Sequence, residues 1–195
     1  LISIQKSIPE SIKKGVQRQQ QIEKLIEELK VASKPFPWVQ VDTSNYIFDL
    51  GDKVFFDTNS YLIGNEVKAE LRTYIPTLLK AKKTENGKWI KRFIVEGFTD
   101  QAGSYTHNLA LSTARSRSVI CALVSPTPES PTLTHEQLLD VQKYFSLGGF
   151  SSYSILEDMK KSRRAAIRIE FWTLDEIEKG QKDPLLNPTF GVCQG

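Results

Sequence analysis

Two side chains of opposite charge stand where chemistry could begin. Asp100 lies in the loop from Gly97 to Ser104, directly after the apolar run Phe93-Ile94-Val95. Arg115 lies further on, in a segment (106–124) whose apolar residues recur with a helical period. At 100° per residue from Asn108, Leu111, Val119, Ala122 and Leu123 fall on one continuous apolar arc. Arg115 falls inside that arc, Asn108 on the same side, and Arg117 on the opposite face. A guanidinium facing the core edge needs a partner, because an unpaired buried charge is costly. Two arrangements supply one. Asp100 and Arg115 pair with each other, or they flank one pocket at the end of a sheet, where ligands commonly bind in α/β folds. In the second case the carboxylate receives an ammonium and the fork-shaped guanidinium receives a carboxylate, the two ends of a zwitterion.

No acid–base set for catalysis accompanies this pair. His107 and His135 have no evident partners, and Ser112, near His107 in sequence, sits inside a helix without the sharp turn that exposes a nucleophile. His135-Glu136 lacks the second histidine of a zinc-protease helix. Cys121 and Cys193 are far apart and form no zinc pattern. They pair in an oxidising compartment, or Cys121 is a buried thiol and Cys193 a loose one; spacing does not choose. The expectation is a protein that is not an enzyme and uses no cofactor and no metal.

The elements that must position Asp100 and Arg115 can be read from periodicity. Residues 9–31 form a polar helix, with Ser7 and Glu10 placed as a capping box. Its stripe of Ile22, Leu25, Ile26 and Leu29 is thin, and suits a linker or weak coiled coil more than a core helix. Lys34-Pro35-Phe36-Pro37 ends it. Strand signals fill 38–57, interrupted by Thr43-Ser44-Asn45 and Gly51-Asp52. A helix over 60–81 carries Ile63, Val67, Leu71, Ile75 and Leu78 on one face, with Pro76 expected to kink or end it. A strand from Trp89 to Glu96 precedes the Asp100 loop. After the Arg115 helix come a proline-rich loop (125–131), a helix (134–145), Gly148-Gly149, and a strand from Ala165 to Trp172. The last twenty residues are polar and are expected to wrap or fray. Strands, helix, strand, helix, helix, strand gives an α/β (α+β) sandwich: a mixed sheet with helices packed on one face. The expected division is a linker helix (1–37), one domain (38–174) and a tail (175–195).

Composition excludes several functions. The chain has 195 residues, 39% hydrophobic and 25% charged, enough for a core without staples. Its net charge of +3, from 26 basic and 23 acidic residues, is too balanced for a nucleic-acid partner. Lys80, Lys82, Lys83, Lys88, Lys91 and Arg92 form a basic cluster, read as a solvated face. No run approaches the roughly 20 apolar residues of a membrane span, and no signal peptide is present. The first residue is Leu1 rather than Met, so an upstream membrane anchor is expected.

Several motifs resemble the signature of OmpA-like peptidoglycan-binding domains. These are Val95-Glu96-Gly97-Phe98-Thr99-Asp100, then Gly103-Ser104, Asn108, Leu111-Ser112, Arg115 and Ser118-Val119. Val54-Phe55-Phe56-Asp57-Thr58-Asn59-Ser60 upstream is similar to the family's strand-to-helix junction. Arg163-Arg164 before the last strand is similar to its closing double arginine. Phe98 departs from the small or imidazole side chain usual before the Thr-Asp pair.

The resemblance covers 38–172 and implies a ligand, the diaminopimelate of the peptidoglycan stem peptide. Asp100 would bind its ammonium and Arg115 its carboxylate. Asn108 would add a hydrogen bond, Thr58 and Asn59 would line the pocket at a helix N-terminus, Thr99 and Leu111 would complete the lining, and Arg163 would close the far side. The polar helix before the domain is similar in layout to MotB-like stator proteins and to the motor-like membrane protein of the Zorya anti-phage system. That likeness implies a periplasmic homodimer held by the inner membrane and partnered there by an ion channel. The alternatives are a Pal-like or OmpA-type outer-membrane tether, a ligand-free protein-interaction module on the same fold, and an amidase-like wall enzyme.

Overall fold

The computed structural model describes residues 9–125, 132–149 and 159–193. Ser7 and most of the 125–131 loop lie outside them. A five-stranded sheet runs in the order β1 (Gln40–Asp42), β2 (Ile47–Asp49), β5 (Ala165–Phe171), β3 (Ile90–Gly97), β4 (Phe145–Gly149). Only β3 and β4 are parallel neighbours. The expected fold class is therefore the observed one, a mixed sheet under helices. β4 itself, short and ending in Gly148-Gly149, carries too little β-favouring sequence to announce itself.

Alternation along the two central strands sets the layers. Phe93 and Val95 of β3, with Ala165, Ile167 and Ile169 of β5, point into the core and are buried. Arg92, Glu96, Arg168 and Glu170 occupy the other face and pair across the strands: Glu96 with Arg168 at 2.6 Å, Arg92 with Glu170 at 2.8 Å. An antiparallel sheet with one dry and one wet face reads this way. The basic cluster is partly absorbed by such pairs, with Lys83 meeting Glu136 and Asp140, and Lys91 meeting Glu170 and Glu176.

The helices are α1 (Glu10–Ala32), α2 (Asn65–Lys82), α3 (Tyr105–Val124), α4 (His135–Tyr144), and the short α5 (Met159–Ser162) and α6 (Leu174–Glu178). α3 lies close against the sheet because both surfaces are small there. A Cβ added at Gly97 would meet the Ser112 carbonyl oxygen at 2.0 Å, and one at Gly149 would meet Thr113 Oγ1 at 2.5 Å. The buried face of α3 is accordingly Asn108, Ser112, Arg115, Ser116, Val119, Ala122 and Leu123. Leu111, placed in the apolar arc by the helical count, sits at its half-buried edge. α2 brings an unexpected buried cation: Arg72 donates from Nε to the Ala122 carbonyl at 2.7 Å, at the C-terminal end of α3, where a helix favours positive charge.

Four expectations need correction. First, α1 is no linker. Ile22, Leu25, Ile26 and Leu29 are at most 2% exposed and belong to the main core. Trp89 Nε1 donates to Gln21 Oε1 at 2.7 Å, and Arg18 Nε to the Trp172 carbonyl at 2.7 Å. A stripe four residues long suffices because each is fully covered, worth about 1.5–3 kcal/mol apiece. The core thus extends across the expected boundary at residue 37. Second, Val54 to Phe56 form no strand beyond an isolated bridge from Phe55 to Arg164; Val54 and Phe56 are buried while Phe55 is exposed. Third, α2 starts at Asn65, capped by Gly64, and passes through Pro76 unbroken. The apolar face on both sides, Leu71, Ile75, Leu78 and Leu79, outweighs the ~3 kcal/mol a proline costs. Fourth, the tail wraps. Cys193 is disulfide-bonded to Cys121 of α3, Gln142 Nε2 donates to the Asn187 carbonyl at 3.0 Å, and Lys143 pairs with Asp183 at 2.6 Å.

Candidate functional site

Three chain segments meet at the carboxyl end of β3. They are the Asp57–Ser60 turn, the Phe98–Ser104 loop leading into α3, and Arg163 just before β5. Arg115 ties them. Its side chain is 0% exposed. Nε donates to the Ser60 carbonyl at 2.9 Å, Nη1 to the Phe98 carbonyl at 2.8 Å, and Nη2 to the Asp57 carbonyl at 3.0 Å. Its guanidinium carbon lies 5.1 Å from the centre of the Phe56 ring. Burial pulls this guanidinium down to about 10, with Asp100 opposing the shift and Arg163 adding to it. It therefore stays charged at neutral pH.

Asp100 and Arg115 do not pair with each other. Asp100, 6% exposed, accepts from Arg163 Nη1 at Oδ2 (2.8 Å) and from the Ala102 N–H at Oδ1 (3.1 Å). Arg163 also donates from Nε to the Phe56 carbonyl at 3.0 Å. One carboxylate thus stands beside two guanidiniums, for a local charge of about +1. The second arginine turns the other way: Arg164 Nε donates to Asp49 Oδ2 at 2.7 Å, and its guanidinium lies 4.4 Å from the Phe98 ring centre. Phe98, the departure from the usual pattern, is buried under that cation.

The remaining expected residues surround Asp100. Asn108 Nδ2 donates to the Asp100 carbonyl at 3.3 Å, while its buried Oδ1 has no hydrogen-bond partner among the described residues. Thr99 is 1% exposed and its Oγ1 is likewise unpartnered there. Buried polar atoms are nearly always satisfied, so two orphans beside one carboxylate mark a place where polar groups from outside could be received. Thr58 and Asn59 are exposed, in a turn well before α2 begins at Asn65, and so are not at a helix N-terminus as expected. Asn59 has φ of 54°, a left-handed conformation that asparagine tolerates. Leu111 is half-buried on α3.

Sequence reasoning left His107 without a partner. Its Nε2 lies 3.1 Å from Asn59 Oδ1, bridging α3 to the Asp57–Ser60 turn. Gly103, with φ of 95°, packs against the same ring, where a Cβ would lie 3.1 Å from His107 Cδ2. Ser112 is fully buried and donates to the Leu109 carbonyl at 2.9 Å. His135 faces the Phe190 ring. Only pairing across distant segments reveals these partners; no local pattern carries them.

No protein-family model matches the chain. The Zorya protein ZorB of Escherichia coli O139:H28 (strain E24377A / ETEC) is 34% identical to it over 184 residues, covering 91% of this chain and 74% of that protein. The chain belongs to the ZorB family. Two solved structures are similar at lower identity. One is the cell wall anchor of the T6SS from Pseudomonas aeruginosa, at 18% identity over 73% of this chain and 94% of that one, with a TM-score of 0.45. The other is the periplasmic domain of Helicobacter pylori MotB, at 16% identity over 68% and 87%, with a TM-score of 0.43. Among the described residues, no helix is long and apolar enough to cross a membrane.

Proposed function

We propose that this ZorB-family chain is a non-catalytic anchor that binds peptidoglycan in the periplasm through the diaminopimelate of the stem peptide. The observation that carries the reading is the Asp100 carboxylate set between the guanidiniums of Arg163 and Arg115, with Thr99 Oγ1 and Asn108 Oδ1 left unpartnered beside it. Such a cluster matches a ligand side chain bearing an ammonium and a carboxylate on one carbon. The motifs around Asp100, Asn108, Arg115 and Arg163 support it independently through their resemblance to OmpA-like domains. Thr58, Asn59 and Leu111 form the outer lining. In a stator-like Zorya membrane complex, this grip would hold the assembly against the wall. A homodimer, an upstream inner-membrane anchor and an ion-channel partner belong to the same proposal.

The test is co-sedimentation of the purified chain with insoluble diaminopimelate-type peptidoglycan, beside Asp100→Ala. Losing one partner of a desolvated charged contact costs about 2–5 kcal/mol, enough to abolish weak binding. The wild type pellets and folded Asp100→Ala does not. A wild type that stays in the supernatant sinks the reading. One observation favours a second reading, a ligand-free interaction module: both carboxylate oxygens of Asp100 already have partners within the chain. That module would ignore peptidoglycan whatever the state of Asp100.

A further inference from the structure

We propose that Arg163 determines the specificity of this site by acting as a displaceable internal cation, so that a ligand enters by exchanging one ion pair for two. The inference rests on the peptidoglycan reading and concerns how that site tells ligands apart. In the empty site an ammonium has no free oxygen on Asp100, since Oδ1 accepts from the Ala102 N–H and Oδ2 from Arg163 Nη1. The backbone N–H is fixed by the loop. Arg163 is not, because Nε stays on the Phe56 carbonyl while Nη1 swings away. Its side chain is also the more accessible of the two guanidiniums, 15% exposed where Arg115 is 0%. Arg115 has three donors spent on carbonyls that hold the loops together, and cannot turn toward a ligand without releasing them.

The exchange has a definite charge logic. An ammonium that takes Asp100 leaves Arg163 uncompensated, close to Arg115, which is unfavourable in a partly buried setting. A carboxylate alone finds Arg163 already engaged. A side chain carrying both groups satisfies Asp100 and Arg163 together, and the site's net charge is unchanged. The site therefore reads an ammonium and a carboxylate jointly and rejects either alone. Arg115 contributes position and field, while Arg163 makes the contact.

The experiment uses two synthetic stem tripeptides, one ending in diaminopimelate and one in lysine, which differ by a single carboxylate. Calorimetric titration of the 195-residue chain measures both, for the wild type, Arg163→Gln and Arg163→Lys, with circular dichroism checking that each variant is folded. The wild type should prefer the diaminopimelate peptide by at least about tenfold, which is 1.4 kcal/mol. Arg163→Gln should narrow the preference to within about threefold, mainly by weakening the diaminopimelate peptide. Arg163→Lys, which keeps the charge without the fork, should fall between and serves as the informative variant if Arg163→Gln does not fold. If both peptides weaken equally in the variants, Arg163 is only structural and the proposal fails. If the full preference survives, Arg115 carries the discrimination and the proposal fails while the peptidoglycan reading stands. A wild type that binds neither peptide overturns both.

Discussion

Replacing Arg115 by alanine should unfold this protein as readily as it silences the site. The guanidinium is fully buried and donates to the carbonyls of Asp57, Ser60 and Phe98. Hydrogen bonds from a charged donor contribute about 1.5–3 kcal/mol each, so three contribute roughly 4.5–9 kcal/mol. Removing the side chain also removes the cost of burying its charge, which offsets several kcal/mol. The net loss is on the order of 4 kcal/mol, a large share of the roughly 5–15 kcal/mol that holds a domain folded. With a urea slope of about 2 kcal/mol per molar, the unfolding midpoint should drop by about 2 M. Arg115→Lys, whose ammonium can meet one or two of the carbonyls, should lose about half as much. Circular dichroism in urea measures both. A midpoint for Arg115→Ala within about 0.3 M of wild type would refute the reasoning, because three orphaned buried carbonyls cannot be that cheap.

Three further outcomes follow from the packing. Reducing the Cys121–Cys193 disulfide, which closes a loop with a sequence separation of 72, should cost about 4 kcal/mol by loop-closure entropy; urea midpoints with and without a dithiol should therefore separate, and Cys193→Ser should reproduce the reduced value. Leu25→Ala should destabilise by about 2–5 kcal/mol, since Leu25 is 0% exposed in the core; a thermal midpoint unchanged from wild type would restore α1 to the status of a linker. Burial raises the Glu96 carboxyl above its ordinary value, with Arg168 opposing. Its folded-state value then exceeds the unfolded one, so its contribution to stability grows as pH falls through the folded value towards 4.5. Glu96→Gln should flatten the stability curve across that window, and an unchanged slope would count against the shift.

How far the sequence carries toward this fold differs from element to element. The β5 alternation and the α3 arc were legible because period and burial coincide there, down to Arg115 inside and Arg117 outside. The partnership of Asp100 was not legible. Its cation comes from Arg163, far along the chain, and competition between Arg115 and Arg163 for one carboxylate is settled by which of them finds backbone carbonyls. The depth of α3 was hidden for a related reason: small residues at Gly97, Gly149, Ser112 and Ser116 carry no hydrophobic signal, yet they decide how close the layers come. α1 was misjudged because stripe width does not report whether a stripe is covered. The tail's fixture depends on a long-range bond that composition left open.

The same geometry explains why the site and the fold cannot be varied independently on the arginine side, yet can be on the carboxylate side. Arg115 bonds one loop through Phe98 and the facing turn through Asp57 and Ser60. His107 repeats the link at the rim through Asn59. Asp100, by contrast, bonds one N–H in its own loop and one mobile guanidinium. Asp100→Asn keeps an acceptor for the Ala102 N–H and gives up only the ionic part of the Arg163 contact. It should therefore leave the urea midpoint close to wild type while removing the anion an incoming ammonium requires. Arg115 variants move stability and binding together, whereas Asp100→Asn moves binding alone. If Asp100→Asn unfolds the chain as severely as Arg115→Ala, the carboxylate is a structural tie, and the cluster is better understood as an internal lock than as a receptor.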